Sequence, residues 1–273
     1  MLCRVLKVSP SGFYDWAKRG PSARAQLDRE LLATIENIHV MARGTYGARR
    51  VHAELTLGRS IAVGRCRVER LMRQAGLQGV HRRRFRHGGH RQPAVFDDHV
   101  QRVFVADAPD RLWVTDITQH RTVEGWVYCA AVIDVFSRRC VGWSIADHLR
   151  TELIVDALDM ARWRRKPVGT IVHSDRGAQF TSWLFGSRLR QAGLMGSMGK
   201  VASAYDNALM ESFFGSMQIE LLDRRQWVSR AELGQAIFEW IEGFYNPTRR
   251  HSALGYRSPI EFESLHKQLE RAA

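Results

Sequence analysis

The sequence predicts an α/β protein, a mixed five-stranded sheet with flanking helices, preceded by a small all-α helix-turn-helix-like region. Three observations predict it. The first is an uneven charge distribution. Of the 273 residues, positions 1–96 hold 19 Lys/Arg against 6 Asp/Glu, a net of 19 − 6 = +13, while positions 97–273 hold 22 against 22. A basic arm on a balanced domain is the footprint of a polyanion binder. The second is a change of apolar period near Val103, from helical spacing to alternating strands and helices. The third is connection length. Val123-Glu124-Gly125 and Phe136-Ser137-Arg138 are short enough to join antiparallel neighbours, whereas the later strands are separated by helical stretches.

Composition excludes several classes. An apolar share of 45% and a charged share of 25% suit a globular protein. The most apolar stretch, Trp126 to Phe136, contains Asp134 and falls short of the ~18 residues of a membrane span. Met1 to Leu6 is too short and interrupted for a signal peptide. Cys3, Cys66, Cys129 and Cys140 form no C-x-x-C pair, so neither a zinc ribbon nor a thioredoxin motif is indicated. The expectation is a cytoplasmic protein with reduced cysteines and no membrane partner.

Residues 1–27 form an N-terminal fragment. Val8-Ser9-Pro10 is a turn, followed by the aromatic cluster Phe13-Tyr14-Asp15-Trp16. It resembles the tail of a unit, so the chain is expected to start inside a larger reading context. Residues 28–80 carry three helical patterns. Leu31, Ile35 and Ile38 mark the first; Ala48, Val51 and Leu55 the second; Val68, Leu71, Met72 and Ala75 the third. Gly44 and Gly76 are natural stops. Arg70 and Arg73 lie off the third stripe and are candidate DNA contacts. The pattern suits a helix-turn-helix reader, and equally a generic helical bundle with a solvated basic face. Residues 81–102 form a basic linker. Its Arg82, Arg83, Arg84 and Arg86 suit phosphate contacts that position DNA without reading sequence.

Residues 103–268 make the α/β domain, with a core at about 108–225 followed by a C-terminal helix and tail. Strands are expected at Arg111–Thr118, Gly125–Asp134, Arg139–Ala146, Gly169–His173 and near Met195–Met198. Helices are expected at about Thr151–Arg164, Trp183–Ala192, Asn207–Leu222 and Arg230–Tyr245. A three-strand meander followed by helical crossovers is the order of an RNase H-like sheet.

In that order Asp116 ends the first strand and Asp175 the fourth, and these strands are neighbours. Their carboxylates can converge at the edge where open α/β sheets place ligands. Glu211 follows Asp175 after 211 − 175 − 1 = 35 residues, in the first turns of a long helix that Asp206 or Asn207 can cap. The inner stripe of that helix is Met210, Phe213, Met217 and Leu221, which leaves Glu211 on another face. Three carboxylates without histidine or thiolate suit Mg²⁺ or Mn²⁺, two ions together serving phosphoryl transfer at a spacing of about 3.5–4 Å. Each acid alone has an ordinary reading, as a turn, a strand end or a solvated helix residue. The combination is the specific signal.

Four segments then carry a resemblance: Trp113-Val114-Thr115-Asp116-Ile117-Thr118, Val132-Ile133-Asp134-Val135-Phe136-Ser137-Arg138, His173-Ser174-Asp175-Arg176-Gly177-Ala178-Gln179-Phe180 and Asn207-Ala208-Leu209-Met210-Glu211-Ser212-Phe213-Phe214. With the tail Phe244–Pro259 and the upstream Thr45–Val51 and Val8–Tyr14, they resemble the orfB transposases of bacterial insertion sequences. That family sits in the retroviral-integrase superfamily with its D,D(35)E triad. The resemblance implies strand cleavage at element ends and strand transfer by 3′-hydroxyl attack, with Asp116, Asp175 and Glu211 as metal ligands. It implies DNA as partner, a homo-oligomer on DNA, and an upstream orfA product as fusion or separate partner, since this chain lacks the heptads of that product. It favours the helix-turn-helix reading and adds Arg249 and Arg250 of the tail as candidate DNA contacts. One position departs. The family commonly has Lys or Arg seven residues after the glutamate, and here that residue is Gln218, which can donate a hydrogen bond but lacks the charge. An RNase H-type nuclease and a catalytically silent DNA-binding regulator built on residues 1–96 are the competing readings.

Overall fold

The computed structural model describes residues 5–6, 8–81, 96, 100, 104–198 and 208–272. The chain divides into two compact units, Met1–Gly79 and Val80–Ala273.

The first unit is helical. Pro10–Lys18 is helix α1, where only a turn and aromatic cluster were expected. The Ser9 hydroxyl accepts from the Gly12 N–H, and Pro10 sits in the first turn, where its missing N–H costs nothing. α2 (Ala23–Met41), α3 (Ala48–Ala53) and α4 (Arg65–Gln74) follow. α3 continues into a π-turn at Glu54–Gly58. Their shared core is Leu31, Ile35 and Ile38 from α2, Val51 and Leu55 from the second helical stretch, and Val68, Leu71 and Met72 from α4. Ala48 and Ala75 of the expected stripes are only half-buried.

The second unit is built on a five-stranded sheet in the order β3-β2-β1-β4-β5. β1 is Leu112–Thr122, β2 Gly125–Asp134, β3 Cys140–Ala146, β4 Ile171–Ser174 and β5 Met195–Met198. β1, β2 and β3 pair antiparallel through tight turns, while β4 pairs parallel to β1 and to β5. The parallel pairs need crossovers, supplied by α5 (Thr151–Arg165) and α6 (Trp183–Gln191). This is the RNase H-like order that the spacing predicts. β1 is longer than expected: it runs on through Thr122, so Asp116 is its fifth residue of eleven and not its end. Among the described residues, no helix is long and apolar enough to cross a membrane.

Strand alternation sorts the two faces. Trp113, Val132, Val172 and Met198 face α5 and α6 in one core with Leu153, Ala157, Phe185 and Leu189. The approach is close: a Cβ at Gly142 of β3 would lie 2.1 Å from the Ala157 carbonyl oxygen, so α5 can rest there only over glycine. The opposite face carries Trp143, whose ring meets Phe238 at 5.9 Å and whose indole N–H donates to Glu242 at 2.8 Å. That face is covered by α7 (Ala208–Glu220) and α8 (Arg230–Trp240), locked by the cluster Phe213, Trp240 and Tyr245. α9 (Pro259–Ala272) closes the chain.

Candidate active site

β1 and β4 bring two of the three predicted acids together. Their parallel register ends at Thr115↔Ser174, so Asp116 on β1 and Asp175 just past the end of β4 are the residues that follow this pair. Asp116 alternates with Thr115 and shares its face with Val114, whose register partner is His173, on the side covered by α7. Both acids are half-buried. One oxygen of each is held by local backbone: Asp116 Oδ1 accepts from the Ile117 N–H and Asp175 Oδ1 from the Gly177 N–H, each at 2.8 Å. These bonds fix the carboxylates at the surface where β4 ends.

Glu211 lies in the first turn of α7 and is exposed. The buried stripe of α7 is Leu209, Met210, Phe213 and Met217, continued by Leu221 just past its end. This is the stripe expected, with Leu209 added, and it leaves Glu211 clear of the core. α7 packs against β1, so Glu211 sits on a helix laid over the strand of Asp116. Asp206 and Asn207, the expected caps, lie outside the described residues. As they stand, the three carboxylates do not converge: among the described residues, no three His, Cys, Asp or Glu side chains are arranged to hold a metal ion.

Gln218 stands seven residues, or two turns, beyond Glu211 on α7. Its amide Nε2 donates to Asp223 Oδ1. The orientation is chemically forced, since a carboxylate only accepts. Asp223 also bears on His120, four residues after Asp116 and therefore on the same face of β1. Burial holds the His120 imidazole below its ordinary range, and the negative Asp223 partly offsets this. Sequence reasoning missed His120 because it stopped the strand at Thr118. Alternation from Asp116 along a longer strand would have found it.

The other predicted DNA contacts separate into three groups. Arg70 is tied with Arg67 to Asp28 of α2, at 2.6 and 2.7 Å. Hydrogen bonds from Arg70 and then Arg67 hold the Asp28 carboxyl below its usual range. Arg73 is exposed. Arg82, Arg83, Arg84 and Arg86 lie outside the described residues. Arg249 and Arg250 require a correction, since each is only 4% exposed. Arg249 pairs with both oxygens of Glu220 at 2.7 and 2.8 Å and donates to Ser216 at 3.0 Å. Arg250 donates to Glu261 at 2.7 Å and to the Tyr256 carbonyl at 3.2 Å. Buried guanidinium groups need such partners, and these place both arginines in the scaffold of the tail instead of at a DNA surface.

Sequence reasoning also missed a polar network behind the sheet. Buried Asp134 accepts from the Ser137 N–H and hydroxyl and from the Asp110 N–H. The Ser137 hydroxyl also lies 2.8 Å from Glu263 of α9, its single proton serving one of the two carboxyls at a time, and Arg139 and Arg165 grip Glu263 at 2.7 and 2.9 Å. Burial raises the Asp134 pKa, whereas the two arginines outweigh burial at Glu263 and lower its pKa. The network pins α9 to the β2–β3 turn.

Comparison with known proteins adds the family context. Residues 106–204 and 192–259 match two integrase core domain families, and residues 26–85 match a helix-turn-helix-like domain family. The chain is 39% identical over 271 residues to the transposase for insertion sequence element IS629 of Shigella sonnei, covering 97% of this chain and 91% of that one. It is 40% identical over 271 residues to a putative transposase for IS986/IS6110 of Mycobacterium tuberculosis, covering 96% of each. It is 37% identical over 268 residues to transposase InsF for IS3A of Escherichia coli, covering 96% and 93%. Among solved structures, the HTLV-2 integrase catalytic core domain in complex with magnesium aligns at a TM-score of 0.45 and 15% identity, over 58% of this chain and 99% of that one.

Proposed function

Since the chain belongs to the family of insertion-sequence transposases with an integrase core domain, we propose that Asp116, Asp175 and Glu211 are the acids through which it cuts and joins DNA. The protein acts in DNA transposition and integration as a polynucleotidyl transferase, with a helix-turn-helix-like DNA-binding region at residues 26–85. What supports the assignment of the acids is the β1–β4 register, whose last pair, Thr115↔Ser174, directly precedes Asp116 and Asp175, with α7 packed against β1.

The donor set fits a hard divalent cation such as Mg²⁺ or Mn²⁺: carboxylate oxygens, two of them on half-buried residues that directly follow the last registered pair, Thr115↔Ser174. Asp116 and Asp175 would hold it, with Glu211 as third ligand. One ion or a pair supplies Lewis-acid activation of the phosphate and of the attacking oxygen. The chain's own residues do the rest. The Ile117 and Gly177 N–H groups orient one oxygen of each aspartate. Gln218 places a hydrogen-bond donor two turns from Glu211.

In cleavage, the oxygen of water bonds to phosphorus and the bond to the leaving 3′-oxygen breaks, giving a 3′-hydroxyl and a 5′-phosphate. In transfer, that 3′-hydroxyl attacks a phosphodiester of the target, whose own 3′-oxygen leaves. Neither step uses a covalent bond to protein. A homo-oligomer on the DNA, an upstream orfA partner, and a place with the bacterial nucleoid in the cytoplasm belong to the same proposal.

The test is Mg²⁺-dependent nicking and strand transfer on a duplex carrying an element end. Asp116→Asn, Asp175→Asn and Glu211→Gln should each abolish both steps while retaining DNA binding. Wild-type rates in all three variants would remove the assignment.

A further inference from the structure

α4 presents two unlike flanks on either side of its buried stripe, Val68, Leu71 and Met72. On one flank, Arg67 and Arg70 reach Asp28 of α2 at 2.7 and 2.6 Å. The other flank carries Arg65, Glu69 and Arg73 at i, i+4 and i+8, one row along the helix surface. Arg65 Nε lies 3.1 Å from Glu69 Oε1, and the two side chains are 55% and 40% exposed. Arg73 is exposed as well.

Helix stability does not account for this row. A glutamate pairs best with a cation four residues later, and here the cation comes first. Arg65 stands at the N-terminal end of α4, where the helix dipole repels a cation. Gly64 gives that end no side-chain cap, and no acid sits in the first turn. An exposed ion pair adds little in any case. Attraction to phosphate does not account for Glu69 either. It is the one acid among the four arginines of α4, and its charge opposes a polyanion. In a helix that meets DNA, an exposed carboxylate weakens binding to every sequence except where a base offers it a donor.

α4 is the last of the three helices in the helix-turn-helix-like region at residues 26–85, and it packs on α3. In a helix-turn-helix domain this is the helix that enters the major groove, with its N-terminal residues at the base edges. Glu69 is the fifth residue of α4, within its first turn and a half. Two bases offer an amino group in that groove. Adenine sets the N7 acceptor beside its amino group, which a carboxylate, itself only an acceptor, cannot satisfy; cytosine presents its N4 amino group alone. We propose that Glu69 is a specificity-determining residue, its carboxylate accepting from the N4 amino group of one cytosine in the bound DNA while Arg65 holds Oε1. The inference rests on the DNA-binding region given under Proposed function and does not involve Asp116, Asp175 or Glu211.

The experiment selects binding sites from a random-sequence duplex pool with the full chain, without Mg²⁺ so that no strand is cut. Wild type should enrich sites with cytosine at one position. Glu69→Ala should lower that preference by about fivefold or more while the other positions of the site keep theirs, and should bind unselected duplex at least as tightly as wild type. Glu69→Gln should move the preference at the same position from cytosine to adenine, because its amide both donates and accepts. Variants that enrich the wild-type site unchanged, or that lose preference at every position together, overturn this inference alone. Wild type that binds duplex and enriches no sequence overturns the reading of residues 26–85 as a sequence reader, and this inference with it.

Discussion

Asn246 pairs with the backbone of Cys140 in both directions: its Nδ2 donates to the Cys140 carbonyl and its Oδ1 accepts from the Cys140 N–H, each at 2.9 Å. The amide acts as one extra residue on the free side of edge strand β3, where unpaired peptide groups would otherwise invite another strand. Only a side chain with a donor and an acceptor at peptide spacing can do this, and both partners are buried. Asn246→Leu should cost about 2–4 kcal/mol, since each stranded buried group costs about 1–3 kcal/mol. Urea denaturation measures it, and a loss under about 0.5 kcal/mol would show that water replaces the amide.

Arg249→Ala should lower stability by about 3–5 kcal/mol, because it removes the buried guanidinium that pairs with both oxygens of Glu220. Under conditions where the variant is folded, its affinity for non-specific DNA and the salt dependence of that affinity should match wild type. A salt slope reduced by about one would instead return Arg249 to the DNA surface.

Arg70 and Arg73 should behave differently although they are three residues apart on α4. Arg70→Ala breaks one of the two contacts to Asp28 and should destabilise the first unit. Arg73→Ala removes an exposed cation, and should weaken DNA binding nearly uniformly across sequences with a salt slope smaller by about one. Equal binding losses with no stability difference would mean the Asp28 contact gives way to DNA.

The contrast between these arginines shows what was legible beforehand. Apolar spacing located Leu31, Ile35 and Ile38, or Met210, Phe213 and Met217, because burial is recorded in period. It also carried the sheet order, in which the last β1–β4 pair, Thr115↔Ser174, precedes Asp116 and Asp175. Period fails where hydrogen bonds replace apolar contacts. The expected strand stops at Thr118, yet Gln119-His120-Arg121 continues β1 by its pairing with Tyr128, Val127 and Trp126 of β2. Charge alone does not reveal its partner. Arg249 finds Glu220 from 29 positions away, a pairing that only the folded tail creates.

Gln218→Lys should keep or raise strand-transfer activity. The ammonium replaces the amide beside Asp223 and adds a positive charge two turns from Glu211, where a DNA phosphate would be attracted. The gain should shrink as salt rises. A folded but inactive Gln218→Lys protein in a strand-transfer assay would argue that this face of α7 does not meet DNA.

Glu263 gives the fold an acid limit. Burial alone would raise its pKa, but the guanidinium groups of Arg165 and Arg139 outweigh burial and hold it below its ordinary value of 4.5. A carboxyl whose pKa is depressed in the folded state contributes stability that is full above the unfolded value and lost as pH falls through the folded value. Asp134, linked to Glu263 through Ser137, is raised by burial, so its contribution runs the other way: stability falls as pH rises from its ordinary value of 3.8 towards the raised one. Glu263→Gln removes the carboxylate gripped by Arg139 and Arg165, the latter keeping its ion pair with Asp110, and should cost about 3 kcal/mol at pH 7. That difference from wild type should narrow steadily below pH 4.5, as protonation removes the same charge from the wild-type side chain. Urea midpoints measured for both proteins between pH 3 and pH 7 test this, and a difference that stays constant across the range would mean that Glu263 holds α9 by packing and not by charge.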